Sequence, residues 1–164
     1  MEKGFQMSKG SQRILVPIDV NEDWQELNEF ATNVASENDA RIVYVFVAPP
    51  MLPRTSGIAA RDFEIEVANQ YERFRKITPD HDGIKFEHEF VRGNAAQEII
   101  ETAQEKRCDL IVIGTHGRKG LSRLILGSVA EKVIRTAHCP VLSFRPQPVK
   151  RKKGDENVSV QITS

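Results

Sequence analysis

Two patterns of apolar positions alternate along the chain. Short, nearly continuous apolar runs are typical of strands buried on both faces of a parallel sheet, whereas an apolar residue at every third or fourth position is typical of a helix with one buried face. Four helices are predicted, beginning near positions 22, 63, 95 and 128. Five strands are predicted, within 13–19, 42–47, 84–90, 109–113 and 140–144.

Polar residues and residues that interrupt periodicity mark the boundaries of these elements. Asn21 is predicted to cap the first helix, and Asn94, with Gln97 three positions later, is predicted to cap the third. Prolines, serine and glycine between 49 and 60 interrupt any period and predict a mobile surface loop. Residues 84–90 alternate apolar and polar side chains, so this strand is expected at a sheet edge.

Strands that alternate with helices at this spacing predict βαβ units, a parallel sheet and right-handed crossovers. The expected fold class is α/β, an open five-stranded, Rossmann-like sheet with helices on both faces. In such sheets ligands bind beyond the carboxyl ends of the strands, where the strand order reverses. One domain is expected over residues 12–145, between a flexible N-terminal tail at 1–11 and a flexible basic and polar tail at 146–164.

Bulk charge and hydropathy exclude several classes of protein. The 23 lysines and arginines balance the 23 aspartates and glutamates, so no net positive field favours nucleic acid. No signal-peptide pattern and no apolar run near the roughly 18 residues of a membrane span is present in the sequence, which predicts a cytoplasmic protein. Cys108 and Cys139 are interpreted as small buried hydrophobes. The basic cluster at 150–153 is interpreted as a solvated tail, with contact to a membrane surface or partner as the alternative.

Residues 114–128 contain four glycines and lead into the last predicted helix. Glycine lets backbone N–H groups converge on phosphate oxygens, and the helix N-terminus that follows Gly127 adds a favourable dipole. The alternative is that these glycines only form turns, since neither GxGxxG nor GxxxxGK[ST] occurs. Arg118, Lys119 and Arg123 are either phosphate contacts or ordinary surface residues.

The spacing within this loop, G-x2-G-x9-G-S, occurs together with several other segments. These are Ile-Leu-Val-Pro-Ile-Asp at 14–19, Val-Arg-Gly at 91–93, and the sequences at 109–114 and 139–142. In this combination, over residues 12–145, the chain resembles the universal stress protein family and in particular its ATP-binding branch. The resemblance implies the sheet order 3-2-1-4-5, in which strands one and four border the point of reversal.

The resemblance also implies a set of nucleotide-binding positions. The triphosphate is expected on the backbone of the glycine-rich loop, and the adenosine beside the end of the first strand and the backbone of the second. The ligand is ATP, ADP or AMP, with Mg2+ carried on the phosphates, and cyclic AMP is a further alternative. Asn21 stands where the family often has serine. The implied positions are Gly114, Gly117, Gly127, Ser128 and Val129 for the phosphates, and Pro17, Asp19 and Val47 for the adenosine.

The leading functional hypothesis is a stress-response or regulatory protein whose nucleotide occupancy is the signal. One alternative is an enzyme that hydrolyses ATP slowly, and another is a dimerisation module with a vestigial site. No catalytic residue or metal ligand is assigned. A homodimer is expected through the last strand, Val141 to Phe144, which would otherwise leave an open sheet edge, and an unknown regulatory protein is the expected further partner.

Overall fold

The computed structural model describes residues 12–51, 56–115 and 127–145, together with the backbone of 162–163. Its sheet has the order β3-β2-β1-β4-β5-β6, in which β1 to β5 run parallel. The predicted parallel sheet and its order 3-2-1-4-5 are therefore confirmed. The strands are β1 (Arg13–Pro17), β2 (Arg41–Ala48), β3 (Phe86–Arg92), β4 (Leu110–Gly114), β5 (Val141–Phe144) and β6 (Ile162–Thr163). The helices are α1 (Gln25–Asn38), α2 (Gly57–Phe74), α3 (Ala95–Glu105) and α4 (Ser128–Thr136).

Successive side chains of the central strands enter two separate hydrophobic clusters. Ile14 and Val16 of β1 belong to the cluster beneath α1 and α2, whereas Leu15 belongs to the cluster beneath α3 and α4. This division follows from the two-residue period of a strand, which sends neighbouring side chains to opposite faces. The near-continuous apolar runs are therefore explained, because both faces of the sheet are covered by helices.

The start of α1 differs from the prediction. Asn21 does not cap this helix, which begins at Gln25 with Trp24 at the N-cap position. The Asn21 N–H is instead donated to the Asp19 carboxylate at 2.9 Å, and the Glu22 N–H to the Asp19 carbonyl at 3.2 Å. Asp19 thus closes a local turn that competes with helix initiation.

The start of α2 also differs, whereas the start of α3 agrees. The loop predicted to reach residue 60 ends earlier, because α2 begins at Gly57 after an extended Ser56; residues 52–55 lie outside the described ranges. Ser56 occupies the N-cap position, but its side chain makes no capping hydrogen bond. Asn94 caps α3 as predicted, since its side-chain oxygen accepts the Gln97 N–H at 3.3 Å.

A buried polar network fastens the segment after α2 to the sheet. The hydroxyl of Tyr44, a fully buried residue, donates to the Asn28 side chain at 2.6 Å, and burial raises the pKa of this phenol. Asn28 in turn donates to the Thr78 carbonyl at 2.9 Å and to the Asp80 carboxylate at 3.1 Å. These bonds satisfy polar groups that would be costly to bury unpaired, and they join α1, β2 and the α2–β3 connection.

The two cysteines are free thiols in the cluster beneath α3 and α4. Cys108 is buried as predicted, whereas Cys139 is half-buried and packs at the edge of the cluster. Burial raises the pKa of Cys108 to about 12 and that of Cys139 to about 11. Both side chains are therefore protonated near neutral pH and pack as small apolar groups.

Strand β6 is an addition that the sequence pattern does not predict. Ile162 and Thr163 pair antiparallel with Leu142 and Val141 of β5. β-branched residues favour extended backbone, and an edge strand offers unpaired N–H and C=O groups, so even a two-residue strand is stabilised there. The segment 1–11, the rest of the predicted C-terminal tail and residues 116–126 lie outside the described residues.

Candidate functional site

A cavity of about 640 Å³ opens at the carboxyl end of the parallel strands. Its floor is formed by the ends of β1, β2 and β4, and its walls by the first residues of α1 and α4. β1 and β4 are neighbours, but the chain continues from them toward opposite edges of the sheet. The cavity therefore lies at the point where strand order reverses, which is where α/β sheets bind ligands, and its volume is typical of small-molecule sites.

Seven of the eight predicted site positions line this one cavity. The eighth, Gly117, lies outside the described residues, as do Arg118, Lys119 and Arg123. More than 100 residues separate the first of these positions, Pro17, from the last, Val129, so the sheet topology assembles them. The seven lining positions are Pro17, Asp19, Val47, Gly114, Gly127, Ser128 and Val129.

The N-terminus of α4 forms one wall of the cavity. Gly127 is the N-cap residue, with Ser128 and Val129 in the first turn and exposed. The Gly127 N–H is donated to the Thr115 carbonyl at 3.2 Å, which ties this helix start to the end of β4. The N–H groups of a first helical turn have no partner within the helix, and together with the helix dipole they favour an anion.

Neither Gly114 nor Gly127 is required by the backbone or by packing. Among the described glycines the left-handed conformation is found at Gly57 and Gly83, and Gly127 has an ordinary φ of −59°. A Cβ atom at Gly114 would lie 3.6 Å from a Leu27 methyl carbon, and one at Gly127 would lie 3.6 Å from the Thr115 carbonyl oxygen. Both are ordinary contacts. Turn geometry therefore does not explain why these two positions are glycine. An alternative reason is that glycine leaves space open for a ligand.

The opposite wall is the turn between β1 and α1. The Asp19 side chain is exposed at the cavity, where the Asn21 N–H occupies one of its oxygens. A carboxylate has about four lone-pair directions, so this single bond leaves capacity for hydroxyl or amino groups of a ligand. Val47 lies beside it at the end of β2 and is half-buried.

Several lining residues were not predicted from the sequence. Trp24 fits the apolar period of α1 and is therefore expected in the core, yet it lines the cavity at the helix start. Gln70 reaches the cavity from α2, and no local sequence signal distinguishes it from other polar residues of that helix. Their participation depends on how α1 and α2 pack, which the apolar period alone does not specify.

The charges on the described lining residues all have one sign. They belong to Asp19, Glu22 and Asp23, which are all on the β1–α1 connection. The α4 side of the described cavity instead presents backbone N–H groups and the Ser128 hydroxyl. The cavity is therefore polarised, with an acidic wall facing a wall that favours anions.

The described residues lack two kinds of feature. Within the described ranges, no group of three or more histidine, cysteine, aspartate or glutamate side chains is arranged to hold a metal ion. No helix in the same part of the chain has the length and apolar character needed to cross a bilayer.

Comparison with known proteins assigns the family. The model of the universal stress protein family matches residues 10–145. The chain belongs to the universal stress protein family. Among its relatives in this family, universal stress protein MJ0531 of Methanocaldococcus jannaschii is 37% identical over 137 residues, which cover 80% of each chain. Universal stress protein YxiE of Bacillus subtilis is 29% identical, over 81% of this chain and 98% of its own.

Solved universal stress protein structures have the same fold. UspA from Lactobacillus plantarum superposes with a TM-score of 0.70 at 23% identity, covering 83% of this chain and 99% of its own. A universal stress protein from Archaeoglobus fulgidus in complex with dAMP gives a TM-score of 0.54 at 24% identity, covering 80% and 96%. A further universal stress protein structure, in complex with cAMP, gives a TM-score of 0.54 at 20% identity, covering 80% of this chain and 95% of its own.

Proposed function

We propose that this universal stress protein binds an adenine nucleotide, foremost ATP, and that occupancy of the site is its regulatory signal in a stress response. The observation that carries this proposal is the cavity between β1 and β4, where the start of α4 faces Asp19. The structures of relatives in complex with dAMP and cAMP support adenine nucleotides as the ligand class. A cytoplasmic location and an unidentified regulatory protein partner belong to the same proposal.

The polarity of the cavity suggests how the nucleotide would lie. The phosphates would be placed on the backbone at Gly114, Gly127, Ser128 and Val129, with Gly117 of the undescribed loop completing the set. The adenosine would lie toward the opposite wall, with its ribose hydroxyls donating to Asp19 and its base beside Pro17 and Val47. This orientation keeps the phosphates away from the three carboxylates, and Mg2+ carried on the phosphates would reduce the remaining repulsion.

Slow ATP hydrolysis is the second candidate function. The observation that favours it is the presence of the Glu22 and Asp23 side chains on the cavity wall, where sequence reasoning placed only Asp19. A dimerisation module with a vestigial site is the remaining alternative. It is distinguished from the other two by the absence of any nucleotide affinity.

Calorimetric titration of the full chain with ATP, ADP, AMP and cyclic AMP tests the proposed function. We expect at least ATP to bind with a Kd in the micromolar range, which corresponds to about 8 kcal/mol. GTP serves as the control for base recognition and is expected to bind more weakly. No heat of binding for any adenine nucleotide at millimolar concentration, with no nucleotide extracted from the purified protein, would leave only the vestigial-site alternative.

The homodimer through β5 remains a proposal, but the edge of β5 is less open in the structure than the sequence predicts. β6 pairs with Val141 and Leu142, so two of the four β5 residues no longer present the open edge that motivated the prediction. A dimer would therefore use the remaining edge or displace β6. We expect light scattering at micromolar concentration to give twice the chain mass of 18.5 kDa. A value equal to one chain contradicts this expectation.

A further inference from the structure

Arg73, near the end of α2, reaches the loop that follows β1. Its guanidinium donates to the Asn21 side-chain oxygen at 2.8 Å and to the Val20 carbonyl at 3.3 Å. These contacts join positions 52 and 53 residues apart, so they depend on the tertiary arrangement of α2 over the sheet. A guanidinium that contacts both a side chain and a backbone carbonyl restricts the orientation of both groups, because its donors have a fixed planar geometry.

Asn21 passes this restraint to Asp19. Its backbone N–H is donated to the Asp19 carboxylate at 2.9 Å, while its side chain is held by Arg73. Asn21 and Asp19 both line the cavity. Arg73 thus acts on the cavity wall through one intermediate residue.

The α2 end of this arrangement is itself organised by polar contacts. The Glu66 carboxylate accepts from the Gln70 side-chain amide at 3.0 Å and lies 3.8 Å from the Arg73 guanidinium. Gln70 also lines the cavity. Two lining residues, one on α2 and one on the β1–α1 turn, are therefore connected by a continuous set of side chains through Glu66 and Arg73.

We propose that Arg73 is a positioning residue for the nucleoside end of the site, and that it holds the Asn21 turn so that the Asp19 carboxylate is oriented toward the ligand. The inference rests on the proposed nucleotide-binding function. The Arg73 and Glu66 side chains are 51% and 58% exposed, and pairs this exposed contribute little to folding. Their effect is instead expected in binding, where a turn held in place beforehand loses less conformational freedom when the ligand arrives.

The residue at position 21 agrees with this role. Its amide side chain is the group that meets Arg73. Asn21 therefore provides both halves of the link, with its side chain facing α2 and its backbone facing Asp19.

Substitution of Arg73 and its partner tests the inference by titration of the full chain with ATP. We expect Arg73→Gln to weaken binding by about 5- to 10-fold, with Arg73→Lys intermediate, since lysine keeps the charge but loses the planar pair of donors. Asn21→Ala should weaken binding by a similar factor, and the double variant by little more than either single one. The melting temperature of the nucleotide-free protein should change by no more than a degree or two.

Arg75→Gln is the matched control. Arg75 lies two positions further on, is 57% exposed and pairs with Glu72 at 3.3 Å, so its substitution removes the same charge and a similar ion pair. Its affinity for ATP should equal that of the wild type. The inference is overturned if Arg73→Gln binds ATP as the wild type does, if Arg75→Gln loses as much affinity, or if the double variant shows independent losses. A wild-type protein without ATP affinity overturns the proposed function first, and the inference with it.

Discussion

Replacing Gly127 with leucine is expected to weaken ATP binding by about 100-fold, which corresponds to about 2.7 kcal/mol. Gly127 lines the cavity at the start of α4, where the proposed phosphate position lies against the backbone. A four-carbon side chain there would fill space that the phosphates need and would cover the N–H groups of the first turn. The fold should persist, because a Cβ atom at this position meets its nearest neighbour at an ordinary 3.6 Å.

Gly127→Ala is the control that separates bulk from helix capping. Alanine loses the same N-cap preference as leucine, at about 1 kcal/mol or less of stability, but adds only one methyl group. We expect it to bind ATP within a few-fold of the wild type and to melt close to the leucine variant. A folded Gly127→Leu protein with wild-type affinity would contradict the proposed phosphate position, and so would an equal loss in both variants. The same substitution at Gly117 is predicted to act in the same direction.

ATP turnover by the isolated protein is expected to stay below about 0.01 per second, at least 100-fold below an ordinary enzyme. Efficient phosphoryl transfer needs a placed metal ion, neutralisation of phosphate charge and a group that orients the attacking water. Glu131 is the carboxylate nearest in sequence to the phosphate wall, but it forms an ion pair with Arg135 on the exposed side of α4. It is therefore a poor candidate for that last role.

Glu22 and Asp23 are the groups that the structure adds as candidates, because both line the cavity. They belong to the acidic wall, which the proposed orientation assigns to the nucleoside end. Phosphate release should therefore be slow in the wild type and unchanged in Asp23→Asn. A rate near 1 per second that disappears in Gly127→Leu and falls in Asp23→Asn would instead establish the hydrolytic alternative.

The sheet could be predicted from sequence because its strands carry a local signal. β1, β2 and β4 are buried on both faces, so their apolar runs are short and nearly unbroken. The strand order was implied by the resemblance to the family. These two sources together placed the ends of β1 and β4 beside each other. The site positions were implied by the same resemblance, and seven of them line the cavity at this place.

What could not be predicted depends on competition and on distant partners. Asn21 and Asn94 have the same capping chemistry, but only Asn94 caps a helix, because Asp19 lies two positions before Asn21 and accepts its N–H. Arg73 has no local feature that marks it, since its role depends on contacts with a loop about 50 residues away. Gln70 has none either, because it lines the cavity only through the packing of α2. β6 is too short for any period to reveal it.

The floor and the rim of the cavity differ in how readily they can rearrange. The floor belongs to β1, β2 and β4, strands with hydrogen-bonded neighbours on both sides and fully buried side chains such as Leu15 and Val112. Strands of this kind open only when the whole domain unfolds, whereas turns and helix ends open locally. Under the proposed function, a bound nucleotide would therefore not act by rearranging the sheet. It would instead change the surface formed by the β1–α1 turn, the start of α4 and the nucleotide itself, and a partner protein would have to contact all three.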